Sequence, residues 1–474
     1  MKLRILLALL LGLLVPAGWA GVAHAAAVTV TNGTQLADTA GNPVQAHGAG
    51  VIKVGSYYYW FGENRNSDGT FKYVSVYRSA DLQTWVHDND VLTQSSAAEL
   101  AVSDIERPKV IYNSSTGMYV LWMHWENGSD YGQARVAVAQ SSTVDGNYTY
   151  LGSFRPLGYD SRDMTVFRDD DGTAYLISAT SVNANLNVYQ LTSDYLGVDH
   201  LVQTLWAGSY REAPAMFKRA GVYFLMTSAA TGWAPNQQKY ATATSVAGAW
   251  SGLSNVGDAT GYASQTAFVL PVQGTSTTSY LYLGDRWAGA WGGTVNSSNY
   301  VWLPLVFGST TTMSMSYYGT LSIDAATGSI SGLTSGYDNL VVRHSGKCAD
   351  VAGASTANSA AVIQYTCGTG TNQQWRLQSL NNGYYQIVAR HSEKCMDVTG
   401  ASTTAGTAVI QYTCGTGTNQ QWRLSSLGSG YYNLISRNSG QCLDVTSAST
   451  ANSAAVIQYT CGSATNQQWS LPTV

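Results

Sequence analysis

Over residues 28–332 short apolar runs recur, each led by a polar residue and broken by a Gly- or Asp-rich turn before an aromatic-rich second run. Five such units stand out. They are HGAGVIKVGSYYYWFGE from His47, ERPKVIYNSSTGMYVLWMHWE from Glu106, RDMTVFRDDDGTAYLISA from Arg162, EAPAMFKRAGVYFLMTS from Glu212 and QTAFVLPVQGTSTTSYLYLGD from Gln265. Runs of this length and composition between turn residues predict pairs of strands. The leading positions 47, 106, 163, 212 and 265 recur every 50–60 residues or so, which fits one four-stranded blade of a β-propeller each. A propeller sets the innermost strand of every blade around one axis. Equivalent polar residues from five blades then converge at one end of the channel, and a site is expected there.

The C-terminal part carries a tighter repeat. CADVAGASTANSAAVIQYTCGTGTNQQWRL begins at Cys348, and close copies begin at Cys395 and Cys442, a step of 47 residues. Trp375, Trp422 and Trp469 keep the same step. Three short all-strand repeats, none able to bury its own face, imply a closed threefold structure. Residues 331–336 (SGLTSG) form a short Gly/Ser linker between the two parts. The expected fold class is therefore all-β, a five-bladed β-propeller over 28–332 followed by a threefold unit over 336–474.

Composition narrows the partners. Charged residues are 11% of the chain, 24 basic against 28 acidic, net −4, where an average soluble protein has about 25%. Nucleic acid and anionic membranes need clustered Lys and Arg, so neither is an expected partner. A hydrophobic content of 45% with 31 Tyr and 14 Trp excludes a disordered chain. A neutral, polar, aromatic surface suits uncharged polar ligands such as sugars. No cofactor is called for, and a monomer is expected.

Residues 1–25 read as an export signal: Lys2 and Arg4, an apolar stretch over 5–15, and a small-x-small site at Ala23-His24-Ala25. An uncleaved anchor is the alternative, disfavoured by the length of the apolar stretch. The protein is expected to be secreted. All six cysteines follow residue 340, in pairs 19 residues apart: Cys348 and Cys367, Cys395 and Cys414, Cys442 and Cys461. In an exported protein these read as three local disulfides, each worth roughly 3 kcal/mol in the chain-entropy model. A zinc site is the competing reading, but there is no CxxC and no ligand-like His spacing.

Glu106, Asp163 and Glu212 lie near the starts of leading strands, and Glu63 and Asp285 follow second strands. Carboxylates converging in a neutral, aromatic pocket are the usual apparatus of glycoside hydrolysis. One must stay protonated to supply the leaving oxygen, and burial near other carboxylates raises a pKa in that way. The structural alternative for each acid is that it caps a turn. Asp169-Asp170-Asp171-Gly172 lacks the alternating ligands of a calcium loop and reads as a hairpin turn. The seven His show no HxH or HExxH, so no catalytic metal is expected. His47 either lines the site or is a structural channel histidine. Trp233, Trp287 and Trp291 sit in Gly-rich loops, either to stack on sugar rings or to pack loops on blades. Asn32, Asn113, Asn127, Asn147 and Asn296 fit glycosylation sequons.

Two resemblances follow. The N-terminal part, about residues 40–330, resembles glycoside hydrolase family 43, a five-bladed propeller family of inverting enzymes. Ser79-Ala80-Asp81-Leu82-Gln83-Thr84-Trp85 looks like its recurring blade motif. Arg211-Glu212-Ala213-Pro214 looks like its general-acid segment, and Ser161-Arg162-Asp163 like the segment of its pKa-modulating aspartate. The chain departs from the family in the first blade, where the family has a general-base aspartate. Here Gln45-Ala46-His47-Gly48-Ala49-Gly50-Val51 holds no acid. That departure, with SQTAFVL around Gln265, resembles the exo-β-1,3-galactanase branch. The resemblance implies Glu212 as acid, Asp163 as its modulator and Gln265 as base or water-orienter. It also implies Glu63, Glu106, Tyr131, Asn185 and Thr231 as contacts to a terminal galactose. A neutral amide is a poor base, and Asp285 or Glu106 acting through a water is the alternative. Inversion implies an acid and opposite partner about 6.5–9.5 Å apart. The implied substrate is β-1,3-galactan, the backbone of arabinogalactan-protein glycans. A propeller arabinofuranosidase or xylosidase, and a catalytically dead sugar-binding protein, are the rival readings.

Cys-x-Asp-Val followed by Gln-x-Trp, three times, resembles the ricin-type β-trefoil of carbohydrate-binding module family 13. Asp350, Asp397 and Asp444 recur two residues after a cysteine, and Tyr365, Tyr412 and Tyr459 two before its partner. An acid beside a stacking ring makes a shallow sugar site, to which the resemblance adds Asn372, Asn419 and Asn466. Gln373, Gln420, Gln467 and the three Trp read as trefoil core. Three linked sites give avidity on a polysaccharide without any new contact.

Overall fold

A computed structural model describes residues 27–333, 337–379, 384–427 and 431–470; the expected leader over 1–25 lies outside the described residues. No described helix is long and apolar enough to cross a membrane.

Five four-stranded antiparallel sheets follow one another along the chain in simple up-and-down order. They begin with His47–Val54, Asp104–Asn113, Met164–Arg168, Arg211–Arg219 and Gln265–Gln273. Each leading strand pairs with the aromatic-rich strand expected after it: Tyr57–Arg65, Met118–Glu126, Ala174–Thr180, Val222–Ala229 and Thr278–Arg286. The leading strands lie side by side in sequence order, and the fifth returns to the first. The arrangement is propeller-like. A further sheet joins Val28–Thr31 to Thr320–Asp324 and Ser329–Leu333, so the two ends of this region meet.

The second strands are apolar on both faces because each face packs against a different neighbour. In Met118–Glu126, Leu121, Met123 and Trp125 point into a core shared with the first sheet. Val120 and Trp122 point into one shared with the third. A third core joins the third and fourth sheets, and a fourth joins the fourth, fifth and first. Trp60, Trp85 and Trp302 meet edge to face in that last core, Trp60 lying 5.1 and 5.2 Å from its partners by ring centroid. The Ser79–Trp85 motif is what delivers Trp85 there. Ser79 Oγ accepts from Leu82 N, and Asp81 Oδ1 accepts from Gln83 N and Thr84 N, closing a turn with Leu82 at φ +69°. Its aspartate is a turn cap. Asp169–Gly172 is likewise the hairpin turn between Met164–Arg168 and Ala174–Thr180, with the Asp169 carboxylate held by Lys218 and Tyr223.

The C-terminal repeats pair with one another. Ala360–Tyr365 bonds to Val409–Tyr412 and to Ala454–Tyr459, joining all three around a common core. Trp375, Trp422 and Trp469 fill it, each indole donating to the backbone carbonyl that follows its repeat's first cysteine. The disulfides are Cys348–Cys367, Cys395–Cys414 and Cys442–Cys461, as the spacing predicts.

Candidate active site

The residues that open each leading strand face the residues that close the second strand. His47 pairs with Glu63, Glu106 with His124, Glu212 with Ser228 and Gln265 with Asp285. Asp163 stands one residue ahead of Met164–Arg168, its carbonyl accepting from Ala179 N at 2.9 Å. Polar groups from all five sheets thus gather at one end. A register irregularity follows in four sheets, after His47, Glu106, Glu212 and Thr266. Such bulges re-aim side chains at the rim of a sheet. Three of them hold a residue in the left-handed region: Gly48 (φ +63°), Arg107 (+51°) and Ala213 (+52°). At Gly48 space matters too, since a Cβ there would lie 2.9 Å from Glu63 Oε1 and 3.0 Å from Arg107 Cα. At Arg107 and Ala213 the non-glycine conformation costs about 1 kcal/mol or more, tolerated where surroundings impose it.

Glu212 is 7% exposed. Its Oε1 accepts from Gln265 Nε2 and its Oε2 from Asn183 Nδ2, both at 3.0 Å. Burial, and then the negative charge of Asp163, push its pKa up to about 8. Asp163 is placed by Arg107, whose Nε donates to Oδ1 at 2.9 Å, and by Ala213 N, which donates to Oδ2 at 3.1 Å. Arg107 also reaches Gln265, with Nη2 donating to Oε1 at 2.6 Å. Trp287 Nε1 donates to the same oxygen at 2.7 Å, and Gln265 Nε2 donates to Ser228 Oγ at 3.0 Å. The amide of Gln265 therefore has both oxygen positions and both N–H groups occupied. It sits directly against the acid rather than facing it across a gap of 6.5–9.5 Å or so.

A second group adjoins the first. Arg65 Nε donates to Glu63 Oε2 and Arg65 Nη2 to Glu106 Oε1, each at 2.7 Å. Glu106 Oε1 also accepts from the Tyr131 hydroxyl, and Oε2 lies 3.0 Å from His124 Nδ1. Burial raises the pKa of Glu63, opposed by Arg65. Burial works the same way on Glu106, but His124, Arg65 and Tyr131 outweigh it and hold the carboxyl well below the usual range. Asp285, almost fully buried, has Oδ1 3.0 Å from His47 Nδ1 and Oδ2 accepting from Gly48 N at 2.9 Å, and it lines the same recess as Gln265 and Trp287. Asn185 and Thr231 are held by their own loops. Asn185 bonds Ser181 Oγ and Gly208 N; Thr231 bonds Ala234 O and Asn236 Nδ2. Neither touches the acids, and it is Asn183 that reaches Glu212. Trp233 meets Trp287 edge to face at 5.6 Å, and both line a recess with Trp291 and Gln265.

The reading from sequence missed Arg65, Arg107, His124, Glu126, Asn183 and Ser228. Glu63-x-Arg65 and His124-x-Glu126 carried a usable signal, since strand residues two apart share a face. Glu106, His124 and Asp163 bring ligand-type atoms within 4.8 Å of one another. Both ring nitrogens of His124 are spent on carboxylates, at 3.0 Å each, which leaves no lone pair for a metal.

In the threefold unit each aspartate is fixed by its own repeat. Asp350 Oδ2 accepts from Asn372 and Gln373, Asp444 Oδ2 from Asn466 and Gln467, and Asp397 Oδ2 from Gln420. Asn419 donates to Val398 O. Tyr365, Tyr412 and Tyr459 are 42%, 44% and 48% exposed, rings free on the surface beside those acids. The glutamines are buried, as expected of core, yet they also orient the aspartates.

Residues 40–261 match the model of glycosyl hydrolases family 43, and residues 337–469 that of the ricin-type β-trefoil lectin domain. No curated protein matches the chain. Among solved structures, an exo-β-1,3-galactanase from Clostridium thermocellum is 48% identical over 94% of this chain and 100% of its own, with a TM-score of 0.66. A variant of an exo-β-1,3-galactanase from Phanerochaete chrysosporium, with β-1,3-galactotriose, is 29% identical over 94% and 100%, with a TM-score of 0.62. A β-1,3-galactosidase of family 43, with galactodeoxynojirimycin, is 30% identical over 61% of this chain and 99% of its own, with a TM-score of 0.58. The chain belongs to glycoside hydrolase family 43 and carries a C-terminal ricin-type β-trefoil. It is a glycoside hydrolase.

Proposed function

We propose that the protein is a secreted exo-β-1,3-galactanase. In this reading a five-bladed propeller releases galactose from the nonreducing ends of β-1,3-galactan, with inversion. The trefoil holds the enzyme on the polymer, the backbone of arabinogalactan-protein glycans. It works as a monomer, and the leader-like residues 1–25 support export. The observation that carries the chemistry is Glu212, buried beside Asp163 with its pKa raised to about 8. A carboxyl in that state is protonated at neutral pH and can give its proton to a glycosidic oxygen. Burial, and after it the like charge of Asp163, keep it so. Glu63, Glu106 and Tyr131 offer acceptors and a ring to the hydroxyls and C–H face of a terminal sugar. Galactan as the substrate is supported by the relative from Clostridium thermocellum, alike over nearly the whole chain, and by the absence of a first-blade acid between Gly41 and Gly62.

The test is product analysis. The full chain is incubated with linear β-1,3-galactan, and in parallel with aryl arabinoside and aryl xyloside, while NMR follows the sugars released. α-Galactose appearing first supports exo-attack with inversion. β-Galactose first would overturn inversion, and pentose without galactose would overturn the substrate.

A further inference from the structure

His124 and Glu126 sit on one face of Met118–Glu126, on the side of Val120 and Trp122, at the end where the site gathers. Their side chains are 1% and 0% exposed, so neither meets the open pocket. Yet His124 spans two carboxylates, with Nδ1 3.0 Å from Glu106 Oε2 and Nε2 3.0 Å from Glu126 Oε1. Glu126 in turn accepts from Gln133 N at 2.9 Å and from Ala134 N at 3.0 Å. Those two amides close the loop that carries Tyr131, whose hydroxyl returns to Glu106. The circuit is therefore closed: Glu126 anchors the loop and the histidine, and the loop and the histidine both hold Glu106.

We propose that His124 and Glu126 are positioning residues of the terminal-sugar pocket, fixing the Glu106 carboxylate and Tyr131 in the orientation that receives a galactose hydroxyl. This rests on the galactanase reading above. The physical reason is the donor count. Only an imidazolium can donate to both glutamates at once; a neutral ring has a single N–H and must release one of them. Releasing Glu126 leaves a buried carboxylate short of a partner and loosens the Tyr131 loop. Releasing Glu106 frees a sugar contact.

The surroundings keep the ring charged. Burial opposes the charge, but the bonds to Glu106 and Glu126 outweigh it and raise the pKa to about 9. The other groups facing the ring are Asp104, Asp163, the Tyr131 ring at 5.9 Å, and Arg65 through Glu106. Two cations stand behind these carboxylates: Arg65, bound to Glu63 and Glu106, and Arg107, bound to Asp163.

The test reads the pocket by galactose as a competitive product inhibitor of β-1,3-galactobiose hydrolysis, from pH 5 to 10, with the full-length protein. Trefoil binding does not enter such an inhibition constant. In the unaltered protein the inhibition constant should stay level to about pH 8 and rise toward pH 9–10 as His124 loses its proton. In Glu126→Gln it should rise at least tenfold at pH 7, with kcat changed less than threefold, and its alkaline rise should begin at least one pH unit lower. In His124→Gln it should be raised to a similar extent and lack the rise toward pH 9–10, since the group that loses its proton there is gone; any change through about pH 8 that comes from Glu212 should be shared by all the proteins compared. Glu126→Asp, which keeps the charge, should return the alkaline rise to the position seen in the unaltered protein. Inhibition constants within twofold of the unaltered protein, with the same course in pH, in either Gln variant overturn the proposal. If Glu126→Gln does not fold, His124→Gln decides alone. An unaltered protein that neither cleaves galactobiose nor binds galactose overturns the galactanase reading first, and this proposal with it.

Discussion

Gln265 Nε2 donates to Glu212 Oε1 at 3.0 Å, while Arg107 and Trp287 donate to Gln265 Oε1 from the other side. Two donors on the oxygen fix which end of the amide is which and hold it in the ordinary tautomer. A base must accept a proton, and this amide has no free acceptor site. On the proposed reaction, Gln265 then stands with the acid, as the group that aims Glu212 at the leaving oxygen.

The two roles separate on leaving groups. With Gln265→Ala, hydrolysis of β-1,3-galactobiose should fall by about 10²–10³. An aryl β-galactoside with an acidic phenol needs no proton from Glu212 and should lose less than tenfold. Loss of both substrates to the same extent would return Gln265 to the side of the attacking water.

On the proposed reaction, Glu212 and Asp163 should set the alkaline edge of activity. Glu212 must be protonated to act, so kcat/KM should fall as pH rises through about 8. Asp163→Asn removes the like charge and leaves Arg107 uncompensated, both of which favour the ionised form of Glu212. The alkaline edge should therefore move to lower pH, by one unit or so, with the maximum lowered. Glu212→Gln should cost at least 10³ with galactobiose, since an amide supplies no proton. An edge that stays at about pH 8 in Asp163→Asn would show that burial alone raises Glu212.

His124 also links pH to stability. Its folded pKa is raised to about 9, against roughly 6.5 in an unfolded chain. The stabilisation is fully present below pH 6.5 or so and is lost as pH rises through about 9. It amounts to on the order of 3 kcal/mol. Melting temperatures of the unaltered protein and of His124→Gln should differ most near pH 6 and converge by about pH 10. Parallel curves would mean that the ring is neutral in the folded state.

Much of this arrangement could be read from the chain. The five strand pairs stand out because both faces of strands such as Met118–Glu126 are buried, which writes long apolar runs between turns. The threefold unit stands out because its step is unbroken. Glu212, Asp163, Glu63, Glu106, Tyr131 and Gln265 do meet at one end. Arg107, Asn183 and Ser228, which help organise them, were hidden because their partners lie on other sheets. Arg107 on the second sheet bonds Asp163 before the third and Gln265 on the fifth, 158 residues away. Asn183, which reaches Glu212, left no signal, because a loop has no period from which to judge which side chain turns inward. Asp285 is the alternative base, and only the fold shows that His47 and Gly48 each engage one of its oxygens.

The trefoil offers three copies of one design, and its effect should show on polymer alone. Asp350, Asp397 and Asp444 each stand beside an exposed tyrosine, so a single substitution such as Tyr365→Ala leaves two sites intact. Linked sites multiply: losing one should weaken retention on insoluble galactan by about tenfold, and losing all three by 10²–10⁴ or so. The triple variant Tyr365→Ala, Tyr412→Ala and Tyr459→Ala should keep its melting temperature, because those rings are outside the core that Trp375, Trp422 and Trp469 fill. It should also keep its rate on galactobiose, which needs only the pocket. Measured by co-sedimentation and by the two rates side by side, retention should fall while the disaccharide rate does not. A triple variant that still sediments with galactan would move the binding surface away from the three tyrosines. One that loses the disaccharide rate as well would mean that the trefoil supports the pocket itself.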